Sequence, residues 1–187
     1  VNFVQHFLRH SYVACALDAC AMVLPSQEQR KVGDSKLRKT QGIAALIKSV
    51  VKIHSVSNNS FGFDFNTQMG ALEQINIFEE SWVKFYLNNR LIPMFELANK
   101  KENMGKFINE KIYYIFKNLQ NFIPDDPKPS LLHGDLWEGN ILFKNKKFTG
   151  FIDPGSFFGH NEMEVAYLRW FNPPFIDSNF LEKYSVY

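Results

Sequence analysis

Asp135 stands five positions before Asn140, and Asp153 follows Asn140 by thirteen. All three lie in polar turns between short apolar runs: Leu131-Leu132, Ile141–Phe143 and Phe148–Ile152. A carboxylate in such a loop can take the proton of a hydroxyl or orient it for attack. An amide oxygen and a second carboxylate can hold a hard cation such as Mg²⁺, which takes few protein oxygens and fills its shell with phosphate and water. Together these groups suit phosphoryl transfer to a hydroxyl, a reaction catalysed almost wholly by positioning and charge.

The interval supports that chemistry. Protein kinases place a catalytic Asp and a metal-binding Asn the same distance apart, and a second metal Asp after a hairpin. Asp135 is therefore the candidate catalytic residue, with Asn140 and Asp153 as candidate metal ligands. Pro154 replaces the Phe of the protein-kinase D-F-G, which points to a small-molecule acceptor. The competing reading makes Asp135 and Asp153 turn or cap residues, a common use of Asp. His133 is expected to pack and hydrogen-bond so as to hold the loop.

Several elements must position this loop. Ile43, Leu46, Ile47, Val50 and Ile53 follow helical spacing. Glu79–Ala98 gives a second helical pattern that Pro93 should kink or end. Ile108, Ile112, Ile115, Leu119 and Phe122 make one apolar stripe, closed by Pro124, Pro127 and Pro129. Ile141–Phe143 and Phe148–Ile152 predict a hairpin with Asn145 in its turn. Glu162–Phe171 reads as a further helix. Residues 1–24 are helical in part, and 25–41 form a polar linker.

Composition sets the outer limits. The 187 residues suffice for one domain, and 19 Phe among them predict an aromatic-rich core. A net charge of +2 gives no argument for a nucleic-acid partner. The only cysteines, Cys15 and Cys20, make no disulfide framework and read as small buried residues in a reducing compartment. No run approaches the ~20 apolar residues that span a bilayer. His6, Arg9, His10 and Asp18 interrupt any signal-peptide core, so the expected location is cytoplasmic.

The run HGDLWEGNILF, followed by GFIDPGSFFGHNEMEVAYLRWF, closely resembles the fructosamine (ketosamine) kinase family, which shows HGDLW-x-GN, an IDP segment and G-H-x-E-x-D-L-A. Further matches are Lys52-Ile53-His54, Phe61-Gly62-Phe63, Asn66–Gly70, Gln74-Ile75-Asn76, Trp82, Phe85 and Arg90-Leu91. The resemblance covers residues 42–184. It implies an α+β fold of the aminoglycoside-phosphotransferase and protein-kinase-like type, here a mostly helical C-terminal lobe with a small hairpin at the site. It also implies ATP and Mg²⁺ as cofactors and phosphorylation of the sugar 3-hydroxyl of ketosamine adducts on proteins or amines, a deglycation repair. Under it Asp135 is the catalytic Asp, and Asn140 and Asp153 hold Mg²⁺. Trp137 either presents a flat face to the sugar or is a structural Trp. His160 and Glu162 either line the substrate site or fix the loop.

The sequence departs from the family pattern in three ways. The family's acidic residue in D-L-A is Glu164 here, whose extra methylene would shift a loop that it anchors. No G-x-G-x-x-G occurs, the first glycine is Gly33, and Lys31, Lys36 and Lys39 lie in a polar stretch. Residues 1–41 are too few for an ATP-binding lobe, so the nucleotide-binding residues are not identified. The chain also stops at Tyr187, short of further helical sequence in the family. The expectation is a kinase-like lobe over 42–187, cut at both ends, with 1–41 unassigned. Alternative readings are a kinase for choline or an aminoglycoside, or a non-catalytic remnant that binds sugar–amine adducts or a partner protein.

Overall fold

A computed structural model describes residues 42–101, 104–145, 147–170, 173 and 178–186. The expectations for residues 1–41, including Cys15 and Cys20, lie outside the described residues. The fold is α+β, as expected. Six α-helices surround three small antiparallel ladders among the described residues.

Helix α1 (Ile43–His54) buries Leu46, Ile47, Val50 and His54, one face at helical spacing. It packs with helix α6 (Ser178–Val186), with strand β3 (Ser130–Leu132) and with strand β5 (Lys147–Phe151), the hairpin partner of β4 (Ile141–Lys144). Leu46, Ile47, Val50, Leu136, Ile141, Leu168 and Phe180 form one core cluster. The β4–β5 hairpin is the predicted one. Asn145 sits in its turn at φ 50°, a left-handed conformation that Asn tolerates better than most residues.

A second core cluster gathers Phe61, Trp82, Phe85, Tyr86, Leu119, Ile123, Leu132 and Phe157. Trp82 stacks on Phe85 at 5.7 Å, and Phe85 on Phe157 at 5.6 Å, so the abundant Phe is spent on ring-to-ring packing. Trp82 and Phe85 come from helix α2 (Trp82–Tyr86). Its N-terminus is capped by Ser81, whose Oγ accepts from the Lys84 N–H at 3.1 Å. Asp125, from the Pro-rich connector, accepts from the Val83 N–H at 2.8 Å.

Pro93 does not end the second helical pattern. A π-turn, Leu87–Leu91, follows α2, and helix α3 (Ile92–Lys101) takes Pro93 in its first turn. A proline there costs little, because its missing N–H is partly redundant at a helix start. The carbonyl of Asn89, four residues before Pro93, instead accepts from the Arg90 guanidinium at 2.9 Å. The third predicted helix is α4 (Gly105–Lys117), continued by a 3₁₀ turn over Leu119–Asn121. Its stripe buries Ile112 and Leu119 but leaves Ile108 48% exposed.

Two ladders were not legible in the sequence. Strands β1 (Thr67–Met69) and β2 (Leu72–Gln74) form a short hairpin. Strand β3 (Ser130–Leu132) pairs antiparallel with β6 (Phe157–Gly159). Gly62 bonds Phe158 on that strand through both backbone groups, at 2.9 and 2.8 Å. Helix α5 (Asn161–Trp170) follows, over the range expected from Glu162. The loop from His133 to Asp135 thus hangs between two cores. Leu132 is anchored in one at 0% exposure, and Leu136 in the other at 1%.

Candidate active site

The loop that carries Asp135 is fixed from below by Glu164 of α5. Its Oε1 accepts from the Gly134 N–H at 2.6 Å, and its Oε2 from the His133 N–H at 3.0 Å. Oε2 also meets His54 Nε2 at 2.8 Å, in a pair with both side chains almost fully buried. His54 Nδ1 lies 2.7 Å from the Tyr184 hydroxyl, which accepts from Asn161 Nδ2 at 2.8 Å. Helices α1, α5 and α6 therefore meet at one buried polar chain that ends on two amides of the loop. Glu164, the departure from the family pattern, does reach the loop despite its added methylene.

Asp135 is held at both oxygens. Tyr167 donates its hydroxyl to Oδ1 at 2.9 Å. Asn140 donates its amide to Oδ2 at 3.0 Å and to the Asp135 carbonyl at 2.8 Å. Burial raises the Asp135 carboxyl above the ordinary carboxylate range, the bonds from Tyr167 and Asn140 pull it back, and the charge of Asp153 pushes it up again. The net direction is upward, which makes Asp135 a stronger proton acceptor than a free carboxylate.

His133 is 4% exposed and hydrogen-bonded through its ring. Its Nε2 donates to the Ile152 carbonyl at 3.0 Å, and its Nδ1 accepts from the Asp135 N–H at 3.3 Å. Both ring nitrogens are committed, so the ring ties the catalytic loop to the residue before Asp153. The Ile152 N–H donates to the Asn140 carbonyl at 3.1 Å, which brings the second acidic residue to the same place. Asp153 itself lies at φ 53°, a left-handed conformation stored at a turn and one that Asp tolerates.

Gly134, at φ 84°, has no alternative residue. A Cβ there would lie 2.0 Å from the Gly155 carbonyl oxygen, so the loops carrying Asp135 and Asp153 touch backbone to backbone.

The donor set suits Mg²⁺. Asn140 spends its N–H groups on Asp135, and its Oδ1 accepts no hydrogen bond among the described residues. One amide oxygen and the Asp153 carboxylate are the hard, sparse ligands that this ion takes from protein. Among the described residues no three His, Cys, Asp or Glu side chains cluster as a closed metal cage.

Trp137 is half-buried, and its ring lies over Gly139, where a Cβ would stand 2.3 Å from the indole. Among the described residues neither His160 nor Glu162 makes a hydrogen bond or ion pair with Asp135. His160 is 9% exposed, edge-on to Trp82 at 6.1 Å, and burial holds its imidazole below the usual range. The exposed Glu162 lies in the first turn of α5 with Oε2 4.0 Å from His160 Nε2, a favourable place for an anion.

Sequence reasoning missed Tyr167, His54 and Tyr184. Tyr167 carried a usable signal, because it follows Glu164 by three and shares its helix face. His54 and Tyr184 carried none, since a single His or Tyr on an amphipathic helix is ordinary.

Solved structures place this arrangement among known folds. Over 78% of its length the chain superposes on a crystal structure from Thermobifida fusca with a TM-score of 0.60 at 20% identity, covering 55% of that chain. A structure from Haemophilus somnus gives 0.56 at 22% identity, again over 78% of this chain and 52% of the other. Both are described as "putative fructosamine-3-kinase", and at these identities they establish a shared fold.

Residues 33–187 match the model of the fructosamine kinase family, and the chain belongs to that family. It is 35% identical over 145 residues to a Lactiplantibacillus plantarum protein named a probable ketoamine kinase, covering 76% of this chain and 51% of that one. It is 36% identical over 113 residues to the ketosamine-3-kinase of Mus musculus, covering 58% and 35%. The chloroplastic protein-ribulosamine 3-kinase of Arabidopsis thaliana is 30% identical over 130 residues, with 68% and 39% covered. The chain spans about half the length of the first two curated relatives it matches. Among the described residues no helix is long and apolar enough to cross a membrane.

Proposed function

We propose that the protein to which this chain belongs transfers the γ-phosphate of ATP to the sugar 3-hydroxyl of ketosamine adducts on proteins or small amines. Its effect would be the repair of glycated amines in the cytoplasm. Residues 42–187 are then a kinase-like C-terminal lobe. The observation that carries this reading is the Asp135 carboxylate, held by Tyr167 and Asn140 beside Asp153 on a loop that Glu164 anchors.

The chemistry follows from the chain's own groups. Asp135 accepts the proton of the sugar hydroxyl as its oxygen attacks the γ-phosphorus and the bond to the ADP oxygen breaks. Each Asp135 oxygen already accepts one bond, which fixes its direction and leaves a lone pair for the substrate. Asn140 Oδ1 and Asp153 would hold Mg²⁺, which when bound neutralises charge on the phosphates. Trp137 offers an apolar face at the loop's edge for a sugar ring.

The test is phosphorylation of a fructosyl- or ribulosyl-lysine peptide by the whole protein with ATP and Mg²⁺. Product phosphorylated on the sugar, lost on Asp135→Asn, is the expected result. Transfer only to choline or an aminoglycoside would move the substrate class. No transfer, with adduct binding retained, would make the lobe a binding module.

A further inference from the structure

The β1–β2 hairpin supplies none of the candidate site residues, yet it lies against the loop that carries Asp153. The carbonyl of Gly155, two residues past Asp153, accepts from Thr67 Oγ1 at 3.2 Å and from Gln74 Nε2 at 3.1 Å. A Cβ on Gly155 would stand 2.5 Å from the Gln68 carbonyl oxygen and 2.6 Å from Gln74 Nε2, so nothing separates the two backbones. A Cβ on Gly134 would meet the oxygen of that same peptide. Hairpin, metal loop and catalytic loop all converge on the Gly155 carbonyl.

The hairpin is locked in turn. Asn76 Nδ2 donates to Thr67 Oγ1 at 2.9 Å and to the Phe65 carbonyl at 3.1 Å. Asn76 Oδ1 accepts from Arg90 Nη2 at 2.8 Å, and Arg90 Nη1 donates to the Ile75 carbonyl. The Arg90 guanidinium lies 4.2 Å from the centroid of Phe157, two residues past Gly155. Arg90 therefore reaches the metal loop twice, through Asn76 and Thr67 on one side and through Phe157 on the other.

Burying these groups is costly. Gln74, Asn76 and Arg90 are each 7% exposed or less. Among the described residues no carboxylate pairs with Arg90, and its Nε has no acceptor. Burial lowers the guanidinium to about 9, still charged at neutral pH. A buried cation with no carboxylate partner is an expensive way to close a two-stranded hairpin.

We propose that Thr67 and Gln74 are positioning residues for phosphoryl transfer: by holding the Gly155 carbonyl they set where Asp153 stands relative to Asp135, with Asn76 and Arg90 locking them in place. The proposal rests on the phosphotransferase reading above. Partners behind a metal ligand commonly alter metal affinity by roughly 10–100-fold when removed.

The test uses Thr67→Val and Gln74→Leu in the whole protein, with Thr67→Ser restoring the hydroxyl. Three quantities are measured: the Mg²⁺ concentration for half-maximal rate, KM for the ketosamine, and amide exchange over residues 153–158. Expected are a half-saturating Mg²⁺ raised roughly tenfold, sugar KM within about twofold, faster exchange over 153–158, and recovery in Thr67→Ser. A merely structural role would lower Tm without separating Mg²⁺ from sugar. Unchanged Mg²⁺ dependence and unchanged exchange beside an active wild type would overturn the proposal alone. A wild type without Mg²⁺-dependent transfer would overturn the phosphotransferase reading, and is seen before any variant is made. If the variants do not fold, Gln74→Glu, which sets an anion against the Gly155 carbonyl at nearly equal volume, gives the same readouts.

Discussion

Tyr167 donates its hydroxyl to Oδ1 of Asp135 at 2.9 Å, one helical turn along α5 from the Glu164 carboxylate that holds the loop beneath. One helix face thus fixes both the position of the catalytic loop and the direction of its carboxylate.

That bond stabilises the ionised form of Asp135, against the upward push of burial. Tyr167→Phe removes it, so the carboxyl should rise further. The base is active when deprotonated, so activity falls as pH drops through its pKa. The acid limb of the kcat/KM profile should lie above the ordinary carboxylate range in the wild type and move to still higher pH in Tyr167→Phe. An acid limb that stays in place would take Tyr167 out of contact with the base.

Asp135→Asn should abolish transfer with Tm unchanged or slightly raised. The folded-state pKa is above the unfolded one, so ionisation of this group opposes folding at neutral pH. Its favourable contribution is present only below the unfolded pKa and is lost as pH rises through the folded one. Thermal melts at pH 5 and pH 8 check the sign: the variant should gain on the wild type at the higher pH.

Glu164→Ala leaves His54 and the amides of His133 and Gly134 without their acceptor in a buried place. Each buried donor left without its acceptor costs about 1–3 kcal/mol. Denaturant unfolding should show a loss of that order. Glu164→Asp keeps a carboxylate at the anchor, the residue type of the family pattern, so it should lose less stability and less activity than Glu164→Ala. Equal losses in the two variants would mean that the carboxylate does not hold the loop.

Gly134→Ala combines a left-handed φ of 84° with a Cβ 2.0 Å from the Gly155 oxygen. The strain alone costs about 1–2 kcal/mol, and relief requires the two loops to part. Activity should fall by about 10²-fold, the scale of a 1 Å misplacement, while Mg²⁺-dependent nucleotide affinity weakens. Unchanged nucleotide affinity would show that the loops move independently.

The catalytic loop was legible because its chemistry is local. Asp135, Asn140 and Asp153 lie in one segment, and their intervals are set by a single hairpin whose apolar runs and turn residue are visible. Helices α1 and α4 were legible from their stripes. Pro93 marked the break in the second helical pattern but not its form, because a proline cannot announce that a π-turn and a neighbouring arginine will absorb it. The hairpin over Thr67–Gln74 and the β3–β6 pair were not seen, since three-residue strands hold no period. The supports of the site were hidden for a different reason. His54, Asn76 and Arg90 act through partners brought near only by the fold, and a lone polar residue does not name its partner.

The anchor of the catalytic loop joins residues 110 positions apart in His54–Glu164 and 130 apart in His54–Tyr184. Contacts so distant in the chain form late, after the loops between them close. During synthesis His54 emerges long before either partner. The site must therefore wait, unassembled, until nearly the last residues of this stretch have left the ribosome, and any premature stop before Tyr184 would release a chain that has the catalytic loop's sequence without its full buried support.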